Sequence, residues 1–359
     1  MGALTEAWKW LQQGTLVLPT QARIDDAHVH GAAEQLPLEA NGCYFAVHIK
    51  ELYLHDRRTW WQTHVPSVWT STAFSYAGAA HDVPNLIGPS MLSGNELGAP
   101  QGMLYRNTRV AGLHPYKGGP LSFSVVLNRI SSSNPADQVL SLVESTRAAF
   151  DLATGLAPYL TIARTVTQGL EVLLGMGSQP VMGVRDTMAP DVAGATSFRP
   201  GHYALLDQAD PAIHQSRLWV RDDGLHVGES MDGATPVRDR NYLLYSILTV
   251  DRRNDVDQIA GLSEMWRRVE EFAQRPGDDN WFTAQSAMTE LGISLSSHPD
   301  LIRPQAEELY SAYVEEMVRL RDRRVQNAQR GMKGPGAQLP PLDEAQLDMQ
   351  AIAHQIRGL

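Results

Sequence analysis

Residues 41–130 place the strongest constraint on the fold, because strand-forming stretches follow one another there with little helical periodicity between them. CYFAVHIKELYL and LSFSVVLNRI carry partly alternating apolar residues, and VPSVWTSTAFSYAG and MLYRNTRVAGL are also strand-like in composition. DVPNLIGPSMLSGNELGAPQG, residues 82–102, is rich in Pro, Gly, Asn and Ser, which predicts a loop. This region therefore predicts an antiparallel sandwich or barrel rather than alternating strand–helix units.

The remainder of the chain alternates between helical and strand patterns, so we predict an α+β fold. The predicted segments are an antiparallel β-sandwich-like region with a short N-terminal helix (1–134), a central αα pair (135–176), a second β segment (177–255), a helical region (256–330), and a linker with a C-terminal tail helix (331–359). The two β segments could share one sheet system, so the domain boundaries near 135 and 250 are not sharply defined by the sequence.

Local patterns sharpen the later segments. Asp223-Gly224 lies between two alternating runs and predicts a hairpin, and NYLLYSILTV is a continuous apolar run of the buried-strand type. The helical region separates into predicted helices at about 256–274, 279–292 and 299–329, with breaks at RPGDDN and SSHPD.

Charge and cysteine content limit the classes of function. The 359 residues carry a formal net charge of −10, which argues against a general nucleic-acid binder because such proteins need clustered Lys and Arg. Cys43 is the single cysteine, so no disulfide can form within the chain, and we predict a reducing, cytoplasmic location. Nothing in the sequence indicates an oligomeric state.

The stretch RIDDAHVHG, residues 23–31, places Asp25, His28 and His30 close together. Residues at i and i+2 of a strand point to one face, so two imidazoles there could reach one divalent metal ion. Over about seven residues the stretch resembles the first metal motif of the amidohydrolase family. That resemblance implies a TIM barrel, whose strand–helix repeats are missing from residues 41–130. We therefore predict polar scaffold without a cofactor here, and keep a metal-dependent hydrolase using these three residues as an alternative.

Two stretches are candidates for binding a protein partner. HDRRTWWQTHVPSVW combines tryptophan and arginine, the residue types that often dominate interfaces. Behind the linker GMKGPGAQLPP, an apolar stripe predicts a helix that could dock in a partner's groove. The predicted contact residues are Arg57, Arg58, Trp60, Trp61 and Trp69 in the first stretch and Met349, Ile352 and Ile356 in the second.

Two further stretches have competing interpretations. In LHPYKGG, Lys117 and the two glycines after it could approach a phosphate, but no Walker-A spacing is present and a hairpin turn is the better prediction. The apolar stretch 139–174 could act on a membrane, although its polar face carries little basic charge. A core αα pair is the better prediction for it.

Catalytic motifs are missing from the sequence: there is no Gly-x-Ser-x-Gly, CxxC, HExxH or GxGxxG. We therefore predict a non-catalytic interaction or adaptor subunit of a bacterial multi-protein system, of which defence or stress response is one setting. The alternatives are the metal-dependent hydrolase and a membrane-acting effector.

Overall fold

The structure is a computed structural model, and it divides the chain into two compact units, Met1–Asp251 and Arg252–Leu359. We call them unit 1 and unit 2. The structure describes residues 20–32, 35–55, 58–59, 62–87, 103–131, 179–188, 199–207, 215–259 and 261–331. The predicted αα pair and the tail helix lie outside these ranges.

Unit 1 is built from strands and contains three sheets in the part that the structure describes. Its strands are β1 (Thr20–Ile24), β2 (Tyr44–Leu54), β3 (Arg58–Thr59), β4 (Gln62–Tyr76), β5 (Ala79–Ile87), β6 (Met103–Pro115), β7 (Leu121–Ser131), β8 (Gln179–Met188), β9 (Gly201–Leu206), β10 (Leu218–Arg221), β11 (Gly224–Val227), β12 (Thr235–Pro236) and β13 (Tyr242–Val250).

Sheet 1 has the strand order β1-β9-β13-β2-β6, and every neighbouring pair is antiparallel. Its middle strand, β13, is hydrogen-bonded on both sides. Tyr245 and Ile247 belong to one hydrophobic cluster, whereas Tyr242 and Leu244 belong to another. The strand is therefore apolar at successive positions because both of its faces are buried, which confirms the buried strand predicted from NYLLYSILTV.

Sheet 2 joins β3, β4, β7 and β8, with β5 also paired to β4. The loop predicted for residues 82–102 is wrong over its first part, because Asp82 to Ile87 continue strand β5 opposite β4. Pro84 stands opposite Ser71 in that pairing. Proline is tolerated at a sheet edge, where its missing N–H breaks no ladder hydrogen bond, so its presence did not exclude a strand.

Sheet 3 is small, with the order β10-β11-β12. The hairpin predicted at Asp223-Gly224 is confirmed, but its turn lies one residue earlier than the dipeptide suggested. Asp222 and Asp223 have φ values of 52° and 59°, as a type I′ turn requires, and Gly224 is already the first residue of β11.

Strands of the two predicted β segments belong to the same sheets. From the second segment, β8 pairs with β7 in sheet 2, and β9 and β13 enter sheet 1. One hydrophobic cluster takes side chains from sheets 1 and 2, and another takes them from sheets 1 and 3. Sheet 1 thus contributes to both cores of unit 1.

Unit 2 is helical over its described residues, with α1 (Leu262–Gln274), α2 (Asp278–Ser297) and α3 (Arg303–Gly331). The three predicted helices are confirmed in number and order, and the α+β class is confirmed with them. The core includes Trp281, Met288 and Leu291 from α2, with Val269 from α1 and Met317 from α3. In the described ranges, no helix has both the length and the apolar character that a membrane crossing demands.

Candidate functional site

The stretch Arg23–Gly31 leaves sheet 1 and turns instead of continuing as a strand. Strand β1 ends at Ile24, and residues Asp26–His28 form a 3₁₀ helix. The Asp25 carboxylate accepts a hydrogen bond from the backbone N–H of Ala27 at 3.0 Å, so it caps this turn. The two histidines therefore do not share one face of a strand, which was the geometry that the metal alternative required.

His28 is held by two contacts. Its ring stacks on Trp219 with centroids 3.9 Å apart, and its Nδ1 lies 3.0 Å from the carbonyl oxygen of Leu218. A carbonyl only accepts hydrogen bonds, so Nδ1 carries the proton. In neutral His28 the lone pair is then on Nε2, for which no hydrogen bond is present among the described residues.

His28 lines a cleft of about 890 Å³ on unit 1, which we call the Arg/His cleft. Six of its seven lining residues have a polar or charged side chain. The lining residues are Arg23, Asp25, Ala27, His28, Arg199, Gln215 and Ser216.

The two arginines of the cleft are positioned differently. Arg23 donates from Nη2 to both carboxylate oxygens of Asp26 at 3.1 Å and to the carbonyl of Pro200 at 3.3 Å. Its guanidinium lies against Gly201, where an added Cβ would come within 3.0 Å of Nη2. Arg199 is exposed, and its backbone is fixed because its N–H donates to the Tyr203 hydroxyl, which in turn donates to its carbonyl.

The proposed metal ligands are not gathered around one point. Within the described ranges, no group of three or more His, Cys, Asp or Glu side chains could hold a metal ion. His30 is exposed, and its backbone N–H donates to the carbonyl of Val220. Asp25, His28 and His30 therefore do not form a ligand set in this structure.

The predicted partner-binding residues fall partly outside the described ranges. Arg57, Trp60, Trp61, Met349, Ile352 and Ile356 all lie there. Arg58 is in β3, and only its backbone is described. Trp69 is 1% exposed, and its ring packs in the hydrophobic core of unit 1. It is therefore not available at the surface to contact a partner.

A buried charged network joins sheets 1 and 3, and no local sequence pattern predicts it. The fully buried Glu51 carboxylate of β2 accepts hydrogen bonds from the backbone N–H of Leu225 at 2.7 Å and from the Tyr242 hydroxyl at 2.5 Å. Arg238 donates to it at 3.1 Å. Burial, and then the charge of Glu51, holds the pKa of Tyr242 well above its usual value. These groups satisfy one another's hydrogen-bonding capacity, so we interpret the network as a structural link between sheets 1 and 3 and call it the clamp.

His202, in β9, is another buried titratable group. Burial lowers the pKa of His202 to about 4, and the nearby charge of Lys50 acts in the same direction. Lys50 itself pairs with Asp223 of the β10–β11 turn at 2.9 Å. His202 is thus neutral at physiological pH.

In unit 2 the solvent-facing side of α2 differs from an ordinary helix surface. Phe282 is 63% exposed and Ile293 is 48% exposed. They are eleven positions apart, about three turns, so they lie on one face. We call the exposed strip carrying Phe282, Ser286, Glu290 and Ile293 the α2 face.

The hydroxyl groups of α2 turn back onto the helix. Ser286 donates to the carbonyl of Phe282 at 3.0 Å and Ser297 to that of Ile293 at 2.7 Å. Thr283 and Ser296 make the same i to i−4 bonds. Because these hydroxyl protons are already bonded, the α2 face presents less free polarity than its composition suggests.

The outer sides of α1 and α3 carry the opposite chemistry, since both are covered by ion pairs. The pairs are Glu264–Arg267 and Glu271–Arg275 in α1, and Arg303–Glu307, Glu315–Arg319 and Glu316–Arg323 in α3. Helix α2 contains no Lys, Arg or His, so it cannot form such pairs within itself.

Comparison with known proteins adds no relative: no protein family matches the chain, and neither a curated protein nor a solved structure shows significant similarity to it.

Proposed function

We propose that this protein is a non-catalytic interaction or adaptor subunit that binds a partner protein through the α2 face. One observation carries the proposal: Phe282 and Ile293 stand exposed on a helix face with little charge, between two helices whose outer sides are covered by ion pairs. Charge depletion around exposed large apolar side chains is the composition of an interface centre.

The chemistry of α2 specifies the kind of partner. The two apolar side chains are about 16 Å apart along the helix, which matches the apolar stripe of a three-turn helix laid alongside. The charged residues of α2 are all acidic: Asp278 and Asp279 at its start, and Glu290 near its middle, which pairs with Arg268 of α1 at 3.1 Å. We therefore propose an amphipathic partner helix that carries Lys or Arg beside its apolar stripe, where these side chains can approach Asp278 and Asp279.

A pair of synthetic peptides tests this proposal. One is a helical peptide with leucines at three- and four-residue spacing and flanking lysines; the other has glutamates in place of the lysines. Fluorescence anisotropy should show binding of the lysine peptide that is at least about tenfold tighter. Replacing both apolar residues, Phe282→Ser with Ile293→Ser, should weaken that binding by about tenfold to a hundredfold.

The matched control is Arg303→Ser with Glu307→Ser, which removes an exposed ion pair from α3 and leaves the α2 face unchanged. It should bind the lysine peptide as the unmodified protein does. Equal weakening in both double variants, or equal affinity for both peptides, would contradict the proposal.

We also infer that sheets 1 and 2 stack as the β-sandwich that the sequence predicts. Two aromatic pairs support this: Phe45 of β2 lies edge-on to Phe74 of β4 with centroids 5.1 Å apart, and Phe123 of β7 lies 5.0 Å from Tyr245 of β13. Each pair joins the two sheets. In a sandwich the effects of Phe45→Leu and Phe74→Leu on unfolding free energy should couple in a double-mutant cycle, and independent effects would argue against it.

A cytoplasmic location is part of the same proposal. Cys43 is a free, buried thiol, and burial raises the pKa of that thiol. Such a thiol is stable in a reducing compartment. Fractionation of cells producing the protein should recover it with cytoplasmic markers, and recovery in an oxidising compartment would overturn this location.

A further inference from the structure

We propose that the Arg/His cleft binds a small hydroxylated acid: a ligand with a carboxylate or phosphate group and a neighbouring hydroxyl. This site is on unit 1 and is independent of the α2 face.

Arg199 supplies the main attraction for the oxyanion. Its guanidinium lines the cleft and makes no hydrogen bond to the described residues, whereas its backbone is anchored at both N–H and carbonyl by Tyr203. The Tyr203 ring is stacked on Tyr245 with centroids 5.2 Å apart, so the anchor itself is fixed in the core. An arginine on a fixed backbone can bind a carboxylate or phosphate through two N–H groups at once.

Arg23 provides the second cation at a set position. Its Nη2 is used by Asp26 and by the carbonyl of Pro200, which hold the guanidinium in place. Gly201 makes this possible, because its φ of 146° and missing Cβ let the guanidinium approach the backbone. The Asp26 carboxylate offsets the charge of Arg23, so the cleft favours a singly or doubly charged group over a polyanion.

The other wall of the cleft accepts hydrogen bonds. His28 carries its proton on Nδ1 and is clamped between Leu218 and Trp219, which leaves Nε2 as an acceptor. Asp25 adds a carboxylate that lines the same cleft. A bare anion would meet repulsion from Asp25, whereas a hydroxyl next to the anionic group donates to either acceptor. The arrangement of two cations and two acceptors therefore favours a hydroxy acid or a hydroxylated phosphate ester.

Two pairs of probes test the proposal. Within each pair only one member carries a hydroxyl beside the acidic group, and the two pairs differ in whether that group is a carboxylate or a phosphate. They are glycolate against acetate, and glycerol 3-phosphate against inorganic phosphate. Binding is measured by isothermal titration calorimetry at pH 7.5, and NMR signals of the His28 ring identify the site. The hydroxylated member of at least one pair should bind at least about threefold more tightly and shift the His28 signals.

Variants assign the roles. Arg199→Gln should weaken the binding of the hydroxylated probe by about tenfold or more, because a charge-assisted contact is lost. His28→Phe keeps a ring to stack on Trp219 but removes Nε2, so it should abolish the preference for the hydroxylated member. The control is Arg221→Gln, which removes an equal charge from β10 outside the cleft and should leave affinity unchanged.

Three results would overturn the proposal. The first is that no probe binds at millimolar concentration. The second is that Arg221→Gln weakens binding as much as Arg199→Gln, which would mean attraction by general charge. The third is that binding leaves the His28 signals unmoved. None of these measurements involves the α2 face, so the two proposals fail or stand separately.

Discussion

Units 1 and 2 both bury charged side chains, but they differ in what their surfaces leave exposed. Unit 1 places charged and titratable groups inside, where Glu51 is 0% exposed and His202 is 7% exposed. Unit 2 also buries Arg253 and Arg321, each 3% exposed, but it leaves Phe282 63% exposed on α2. Polar groups inside must be satisfied by the fold, and apolar groups outside are satisfied only by something that covers them.

The comparison separates stability from binding. The buried Glu51 carboxylate of unit 1 is bonded to Leu225, Tyr242 and Arg238, so its removal should cost folding free energy. The exposed apolar groups of α2 have few contacts to lose, so their removal should change binding and leave stability almost unchanged.

Replacing Glu51 with alanine should produce the largest loss. Glu51→Ala leaves the Leu225 N–H and the Arg238 guanidinium without their buried acceptor, and we expect a cost of about 3–5 kcal/mol in the free energy of unfolding. Urea unfolding measures it. Glu229→Ala, which removes an exposed carboxylate from a surface ion pair, should cost at most about 0.5 kcal/mol. Similar losses of unfolding free energy in the two variants would contradict a stabilising role for the buried Glu51 carboxylate.

The buried imidazole of His202 should make stability depend on pH. Its folded-state pKa of about 4 lies below the ordinary value of 6.5, so the unfolded chain takes up the proton first as pH falls. His202 should therefore lower the unfolding free energy by about 2 kcal/mol between pH 7 and pH 5, and by about 3 kcal/mol near pH 4.

Urea titrations at those pH values, repeated on His202→Gln, isolate this contribution. The variant should show a shallower decline than the unmodified protein. His30→Gln replaces an exposed histidine and should keep the full pH dependence. An unchanged decline in His202→Gln would contradict the prediction, because it would mean that folding does not shift the pKa of this imidazole.

Gly224→Ala should give an intermediate loss. The added Cβ would lie 3.3 Å from both carboxylate oxygens of Glu51 and from the carbonyl of Arg221, so the clamp would have to shift. We expect about 1–2 kcal/mol by urea unfolding. At Gly233 the added Cβ would meet only the exposed hydroxyl of Ser230 at 3.3 Å, so Gly233→Ala should cost less. Equal costs would mean that crowding at Glu51 is unimportant.

Phe282→Ala should have the smallest effect on stability, at most about 0.5 kcal/mol, because most of this side chain is already in water. Its neighbour Trp281 is the matched control, since it is 6% exposed and carries Arg321 over its ring at 4.5 Å. Trp281→Ala should cost about 3–5 kcal/mol. Thermal unfolding followed by circular dichroism at 222 nm compares them, and a large loss for Phe282→Ala would mean that this ring supports the helical unit.

Local sequence patterns predicted individual helices and strands better than they predicted how those elements pair and pack. The continuous apolar run of β13, the β10–β11 hairpin and the three helices of unit 2 were all predictable, because backbone periodicity and turn chemistry are written in neighbouring residues. Proline and asparagine in Asp82–Ile87 suggested a loop, but pairing with β4 overrode their local preference.

The candidate site was harder to predict because its parts are far apart in sequence. The RIDDAHVHG stretch drew attention to His28, but its role follows from Leu218 and Trp219, which reach it through tertiary structure. Arg199 carried no local signal at all. The helical pattern of α2 is compatible with Phe282 being either buried or exposed to solvent. Only the packing of α1 and α3 decides which side of α2 is covered.

The strand order of sheet 1 also has a consequence for synthesis of the protein. Strand β2 pairs with β13, and Tyr53 stands opposite Tyr242, about 190 residues further along the chain. At about 5–20 residues per second, a ribosome needs roughly 10–40 s to reach β13 after β2 has been made. During that interval one edge of β2, an apolar strand, has no partner. Sheet 1 therefore cannot be completed until β13 has been made, and a slowed ribosome would lengthen the time in which this edge can pair with another chain.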